Sequence, residues 1–169
     1  MTDPSGELVE VVDEAGTVLA VVTRAEMRAG RLRHRTVFIA VVDPAGERLL
    51  THRRADWKDV WPSRWDIAFG GVVGVGEGWV EAAARELAEE AGITATLTPL
   101  GAGAYADDEV AEVAELFLAR SDGPFTFPDG EVAEVRWIAV AELDGWLADR
   151  LHCPDGATLL PPLLRAALG

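Results

Sequence analysis

Apolar residues recur in short runs separated by turn signals, and the spacing of those runs predicts most elements of the chain. The segments 7–12 (ELVEVV) and 17–22 (TVLAVV) flank Asp13–Gly16 and read as a hairpin. Thr23 can then N-cap a short helix through Ala29, stopped by Gly30. Val37–Val42 is a β-branched and aromatic run suited to a buried strand. The turn Asp43–Gly46 leads from it to a partner strand at Arg48–His52. An aromatic-rich loop, 55–65, precedes a strand at Asp66–Val73 that enters a bend at Gly74, Gly76 and Gly78. Trp79–Ala91 has helical periodicity, with Gly92 as its C′ residue. Strands are expected near 93–98, 110–119 and 132–138, with a turn around Ser121–Gly123. Helices are expected near 140–149 and 157–167, Pro161 and Pro162 limiting the start of the second. Strands mixed with a few helices indicate an α+β or α/β sandwich.

Composition narrows the class. The chain has 169 residues, 49% of them hydrophobic and 26% charged, enough for one domain with a real core. No repeat, low-complexity tract or domain linker is visible, and no apolar run approaches the roughly 20 residues of a membrane span. The opening MTDPSGELVE has no basic n-region and no apolar h-region, so a cytoplasmic location is expected. Cys153 is the one cysteine, which excludes an internal disulfide and a Cys-rich zinc site. The net charge of −14 disfavours a surface that tracks nucleic acid. An acidic protein that handles phosphates would need cations to bridge the two.

Candidate chemistry concentrates on the helix at 79–91. With Glu86 at 0° and steps of about 100°, Glu89 falls near −60° and Glu90 near +40°, so three carboxylates share one stripe. Leu87 centres the other face, with Val80, Ala83, Ala84 and Ala91. Glu86 and Glu90 form an unfavourable i, i+4 pair. A hard divalent cation would convert that repulsion into ligation; a solvated acidic face is the alternative reading.

The spacing around the stripe decides between these. Gly71, five residues, Glu77, seven residues and Arg85-Glu86-Leu87-Ala88-Glu89-Glu90-Ala91-Gly92-Ile93 match the Nudix box, G-x5-E-x7-R-E-U-x-E-E-x-G-U, at every specified position. Such a match arises by chance in roughly one window per billion. The chain therefore resembles the Nudix hydrolase superfamily. The resemblance implies a single domain over 1–169 with its box at 71–93, and an α/β/α sandwich whose mixed sheet carries the box helix. It implies Mg²⁺ or Mn²⁺ held by Glu86, Glu89 and Glu90 with the backbone of Gly70 nearby. Arg85 would pair with Glu77 and steady the loop on the helix, while Glu89 or Glu90 would ligate metal and accept a proton from water. The implied partner is a small organic diphosphate, with no nucleic acid and no membrane; a homodimer is compatible.

From about residue 8 to 145 the chain is also similar to the isopentenyl-diphosphate-isomerase-like branch, through Leu32-Arg33-His34, Arg53-Arg54, Lys58, Trp61-Pro62, Trp65 and Glu131–Trp137. Isomerases of that branch use a cysteine where Gly70 stands and a histidine where Val72 stands. Another of their histidine ligands falls near Met27, leaving His34 and Glu112 from that metal site. Arg54 and Lys58 align with diphosphate-contacting positions, and exposed loop charge is the plainer reading for both. Trp57, Trp61, Trp65 and Trp79 could stack on a base or simply anchor the core. Glu112 and Glu131 lie outside the box, where some Nudix enzymes recruit a base or further ligand. His34 reads as a structural hydrogen-bonding histidine and Cys153 as a small inert residue. The expectation is metal-dependent hydrolysis of a diphosphate whose leaving group stays open. An isomerase and a non-catalytic ligand-binding module are the rivals.

Overall fold

The N-terminal hairpin forms in the computed structural model, which describes residues 3–169. Met1 and Thr2, the start of the stretch read for a secretory signal, lie outside these. β1 (Leu8–Val12) and β2 (Val18–Thr23) pair antiparallel from Leu8↔Thr23 to Val12↔Val18. The Asp13 carboxylate accepts the N–H groups of Ala15 and Thr17 in the turn, each at 2.9 Å. Thr23 caps α1 (Arg24–Gly30) in a reciprocal box: its hydroxyl accepts the Glu26 N–H, and the Glu26 carboxylate accepts the Thr23 N–H. Buried Met27 pins this short helix to the body.

β3 (His34–Val42) is the hub of a nine-stranded mixed sheet. It runs parallel to β8 (Ala111–Arg120) and antiparallel to β6 (Phe69–Val72) and to the end of β1. It meets β4 (Arg48–Arg54) across the turn at 43–46. β4 carries β5 (Trp65–Asp66) and β9 (Val132–Ala139), and β7 (Thr98–Ala106) lies outside β8.

Alternation along β3 divides the core into two layers. Val37, Ile39 and Val41 pack with Ala82, Ala83 and Leu87 of α2 (Trp79–Ala91). Phe38, Ala40 and Val42 pack with α3 (Leu143–Ala148) through Leu143 and Trp146, and with α4 (Pro154–Leu168) through Leu160 and Leu164. This is the expected α/β/α sandwich. The two alanines of α2 let its backbone lie close to the sheet, and Leu87 fills the gap; Leu87→Ala would cost about 2–5 kcal/mol. No helix among the described residues is long and apolar enough to cross a membrane.

Several boundaries differ from the sequence reading. Residues 93–97 are not a strand: Ile93, Ala95 and Leu97 turn inward in alternation, but no neighbour pairs with them until Thr98 meets Leu118. The strand expected at 66–73 is broken between β5 on β4 and β6 on β3. α4 begins at Pro154, which needs no N–H at a helix start, and continues through Pro161 and Pro162. Full burial of Leu160 and Leu164 offsets the two lost donors. The helix expected at 140–149 begins as a 3-10 turn, Val140–Glu142, before α3.

Candidate active site

α2 buries Ala83, Leu87 and Ala91 as expected, but its inward face extends toward Ala82 and Glu90 instead of Val80 and Ala84. Val80 and Ala84 are exposed, whereas Ala82, Ala83, Leu87, Glu90 and Ala91 are buried. The helix is rotated so that part of its acidic stripe meets the sheet. That placement is possible because the strand opposite is Phe69-Gly70-Gly71-Val72. At Gly70 φ is +156°, and a Cβ would fall 1.9 Å from the Val37 carbonyl oxygen. At Gly71 a Cβ would fall 2.6 Å from a Glu86 carboxylate oxygen. The space of the missing Gly71 side chain is occupied by the Glu86 carboxylate, and Gly70 lets its strand lie against the Val37 backbone.

Arg85 ties the box together. Its Nε and Nη2 donate to the two Glu77 oxygens, both at 2.8 Å; Nη1 donates to Glu86 at 2.7 Å and to Glu89 at 3.3 Å, and Nη2 also reaches the Val72 carbonyl. These hydrogen bonds from Arg85 hold the Glu77 carboxyl below its ordinary pKa, against a smaller opposing effect of burial. The Glu77 carboxylate also accepts the Gly74 N–H at 3.0 Å, which locks the loop before the helix.

Glu90 accepts the Gly70 N–H at 3.1 Å and has no arginine. Its carboxyl lies beside those of Asp129 and Glu131, their nearest oxygens all within 4.8 Å. Burial, and then the charges of Glu86 and Glu131, push the Glu90 carboxyl well above the usual range. Burial raises Glu86 to about 7 despite Arg85. Burial also works to raise Glu131, but Lys58 outweighs it through its charge and a 2.6 Å hydrogen bond, leaving the carboxyl below its ordinary value. Glu90 is thus pushed toward its neutral form beside a Glu131 that Lys58 holds toward the ionised one. A cluster of carboxylates, half-buried and short of cation, suits a hard divalent ion such as Mg²⁺ or Mn²⁺. The residues fit the metal.

The cluster opens on a cleft of about 1360 Å³ whose walls include Gly71, Glu86, Glu89, Trp57, Lys58 and Asp129. An inner polar cavity of about 70 Å³ adjoins Gly70 and Gly71, lined by Glu90 of α2 and by Thr36, Arg54, Lys58, Glu112 and Asp155 among others. Arg54 faces only this inner space and donates to the Val60 carbonyl at 3.0 Å. Glu112 accepts from the Thr36 hydroxyl at 3.0 Å, and burial lifts its carboxyl to about 7. His34 shares its ring nitrogen Nδ1 with the Leu32 carbonyl at 3.0 Å, and burial lowers it to about 4. Of the four tryptophans considered for stacking, Trp57 is the one both exposed and in the cleft; Trp61 is buried with Val60, Val110 and Cys153. Glu77, Arg85, Glu86, Glu89 and Glu90 are thus brought together, Lys58 joins them through Glu131, and Arg54 shares the inner cavity with Glu90 and Lys58. Asp129 escaped the sequence reading. Its only signal is the turn Pro128-Asp129-Gly130 before Glu131, which marks a loop and not a ligand.

Comparison with known proteins identifies the family. Residues 32–160 match the NUDIX domain family. An uncharacterized Nudix hydrolase of Yersinia pestis is 40% identical over 138 residues, covering 81% of this chain and 75% of that protein. The Streptomyces coelicolor Nudix hydrolase SCO1686 is 36% identical over 159 residues, 89% of this chain and 84% of that one. Among solved structures, DR0079 of Deinococcus radiodurans superposes with a TM-score of 0.77 at 24% identity, covering 95% and 98% of the two chains. The NUDIX domain of Shewanella oneidensis NrtR, solved with ADP ribose, superposes with a TM-score of 0.63 at 17% identity, covering 88% and 100%. The chain belongs to the Nudix hydrolase family.

Proposed function

We propose that this protein is a divalent-cation-dependent hydrolase of organic diphosphates, acting as a single Nudix domain in the cytoplasm. The observation that carries the reading is the gathering of Glu86, Glu89, Asp129 and Glu131 on the cleft, with Glu90 beside Asp129 and Glu131 at the adjoining inner cavity and Gly71 leaving room for the Glu86 carboxylate. Glu86, Glu89 and Glu90 would hold Mg²⁺ or Mn²⁺, with the Gly70 backbone beside them. The bound ion would supply charge neutralisation at the phosphoryl oxygens and a lowered pKa for water. Glu77 and Arg85 orient the array through their double hydrogen bond. Glu131, kept ionised by Lys58, accepts the proton of the attacking water. Water oxygen forms the new bond to phosphorus, the anhydride P–O bond breaks, and the leaving phosphate departs with the electron pair. Lys58 and Arg54 line the inner cavity beside Glu90, Lys58 engaged by Glu131 and Arg54 by the Val60 carbonyl, and add positive charge behind the carboxylates.

His34 and Glu112, buried together with Nε2 4.0 Å from a carboxylate oxygen, support a placement beside the isomerase-like branch. Gly70 and Val72 at the positions of that branch's cysteine and histidine favour hydrolysis over double-bond protonation. A panel of nucleotide sugars, ADP ribose, dinucleotides, coenzyme A and isopentenyl diphosphate, each with Mg²⁺ or Mn²⁺, tests the reading. Hydrolysis of at least one diphosphate, abolished by excess chelator, is expected. Isomerisation of isopentenyl diphosphate, or no turnover of any member, would contradict it.

A further inference from the structure

Arg24 and Arg28 stand one turn apart on α1, where like charges repel. Neither is dissipated in solvent, since their side chains are 17% and 23% exposed. Carboxylates of the protein satisfy them only in part. Arg28 uses Nε on Asp59 at 3.1 Å, and its two terminal nitrogens make no hydrogen bond among the described residues. Arg24 has one contact, Nη1 to the exposed Glu7 carboxylate at 3.7 Å, too long for a hydrogen bond. Its Nε is buried without any acceptor among the described residues. Both side chains line the open cleft and the inner cavity, so they sit where the two spaces join beside Gly70 and Gly71. In a chain of net charge −14, a largely enclosed cation pair with unused donors is conspicuous.

The neighbouring cations differ. Lys58 is closed on Glu131 at 2.6 Å, and Arg54 turns inward to the Val60 carbonyl. α1 itself is fixed by its capping box and by Met27, so the arginine pair is held in place before any ligand arrives. Two adjacent guanidinium groups with free N–H donors match the three oxygens of a terminal phosphate in charge and geometry. The scissile diphosphate would find its charge neutralised at the glutamates, which would hold the divalent cation.

We propose that Arg24 and Arg28 form a second anion subsite in the cleft, facing the box helix, which takes a phosphate that the substrate carries in addition to its scissile diphosphate. The proposal rests on the hydrolase reading for its substrate class, but the subsite can be tested without turnover. Inorganic triphosphate is titrated calorimetrically in EDTA, so that the glutamates contribute no bound cation. The wild-type protein is expected to bind it at least about tenfold more tightly than the double variant Arg24→Gln/Arg28→Gln. Arg165→Gln, on the outer surface of α4, should match wild type. Arg28→Lys keeps the charge without the fork and should retain part of the affinity, which separates ligand binding from misfolding.

The kinetic arm compares pairs that differ by one phosphate: NADP with NAD, and coenzyme A with dephospho-coenzyme A. Wild type should favour the more phosphorylated member of at least one pair by about tenfold or more in kcat/KM, chiefly through KM, and the double variant should favour neither. Equal triphosphate affinity in wild type and double variant, including no binding by either, overturns the subsite. Discrimination that survives in the double variant overturns it too. Failure of every diphosphate to turn over would instead count against the hydrolase reading, with the titration still deciding the subsite.

Discussion

Arg85 and Glu77 meet through two parallel hydrogen bonds of 2.8 Å, eight residues apart in sequence, Glu77 in the loop that delivers the box helix and Arg85 in the helix itself. The same guanidinium then reaches Glu86 and Glu89, so loop geometry and carboxylate placement are set by one side chain. Glu77→Gln keeps the shape and removes the charge. Loss of this charge-assisted pair should lower unfolding free energy by about 1–3 kcal/mol and turnover by about tenfold or more. Because Arg85 holds the Glu77 carboxyl below its ordinary pKa, the contribution is present above about pH 4.5, the ordinary value, and fades as the carboxyl protonates below it. Urea unfolding at pH 7 and at pH 3.5 checks this: the gap between wild type and variant should shrink at the lower pH. A gap that widens there would contradict the pairing.

Gly71→Ala tests how closely Glu86 approaches the sheet. The added methyl would fall 2.6 Å from the carboxylate, the far end of a side chain that can swing away. Stability should change by less than about 1 kcal/mol, while Mn²⁺ affinity and turnover drop by about tenfold or more. Gly74→Ala, whose methyl would lie 3.5 Å from Glu77, is the comparison and should leave the metal affinity nearly unchanged. Equal metal affinity in both variants would mean that Glu86 does not act from this position.

The inner cavity predicts a distinctive pH response. Burial raises Glu112 from its ordinary 4.5 to about 7, so between these values the folded state binds a proton that the unfolded state does not. Its stabilising contribution is present below pH 4.5 and is lost as the pH rises through 7. His34 works in the opposite direction: lowered from 6.5 to about 4, it favours the folded state increasingly as the pH rises across that window. Glu112→Gln mimics the protonated acid at every pH. Measured in EDTA, its stability relative to wild type should increase between pH 4.5 and 7.5 by on the order of 1–3 kcal/mol. A difference independent of pH would show that the acid is ionised throughout.

Much of this site was legible because the box packs its chemistry into 23 consecutive residues whose spacing is fixed by one loop and one helix. Glu77, Arg85 and the three glutamates of α2 needed no tertiary information. Asp129 was not legible, since it reaches Glu90 only after β7, β8 and a turn have returned the chain to the helix. Arg24 and Arg28 were equally hidden: the capping box announces their helix, but nothing local says that it borders the cleft. The buried face of α2 was right at Ala83, Leu87 and Ala91 and wrong at its edge, where Val80 and Ala84 fit an apolar face equally well until Gly71 supplied room for Glu86 on the other side. The fold was clearest where alternation coincided with a pairing partner, as in β3. It was misleading at 93–97, where alternation buries side chains with no ladder beside it.

The most direct measurement is a Mn²⁺ titration followed by electron paramagnetic resonance on wild type and Glu90→Gln, paired with turnover of a diphosphate from the panel. Wild type should bind Mn²⁺ and turn over. Glu90→Gln should bind it at least about tenfold more weakly and lose about 10²-fold or more in kcat, the scale of removing one key electrostatic group. Unchanged Mn²⁺ affinity and full turnover in Glu90→Gln would contradict the assignment of the carboxylate cluster as the catalytic metal site.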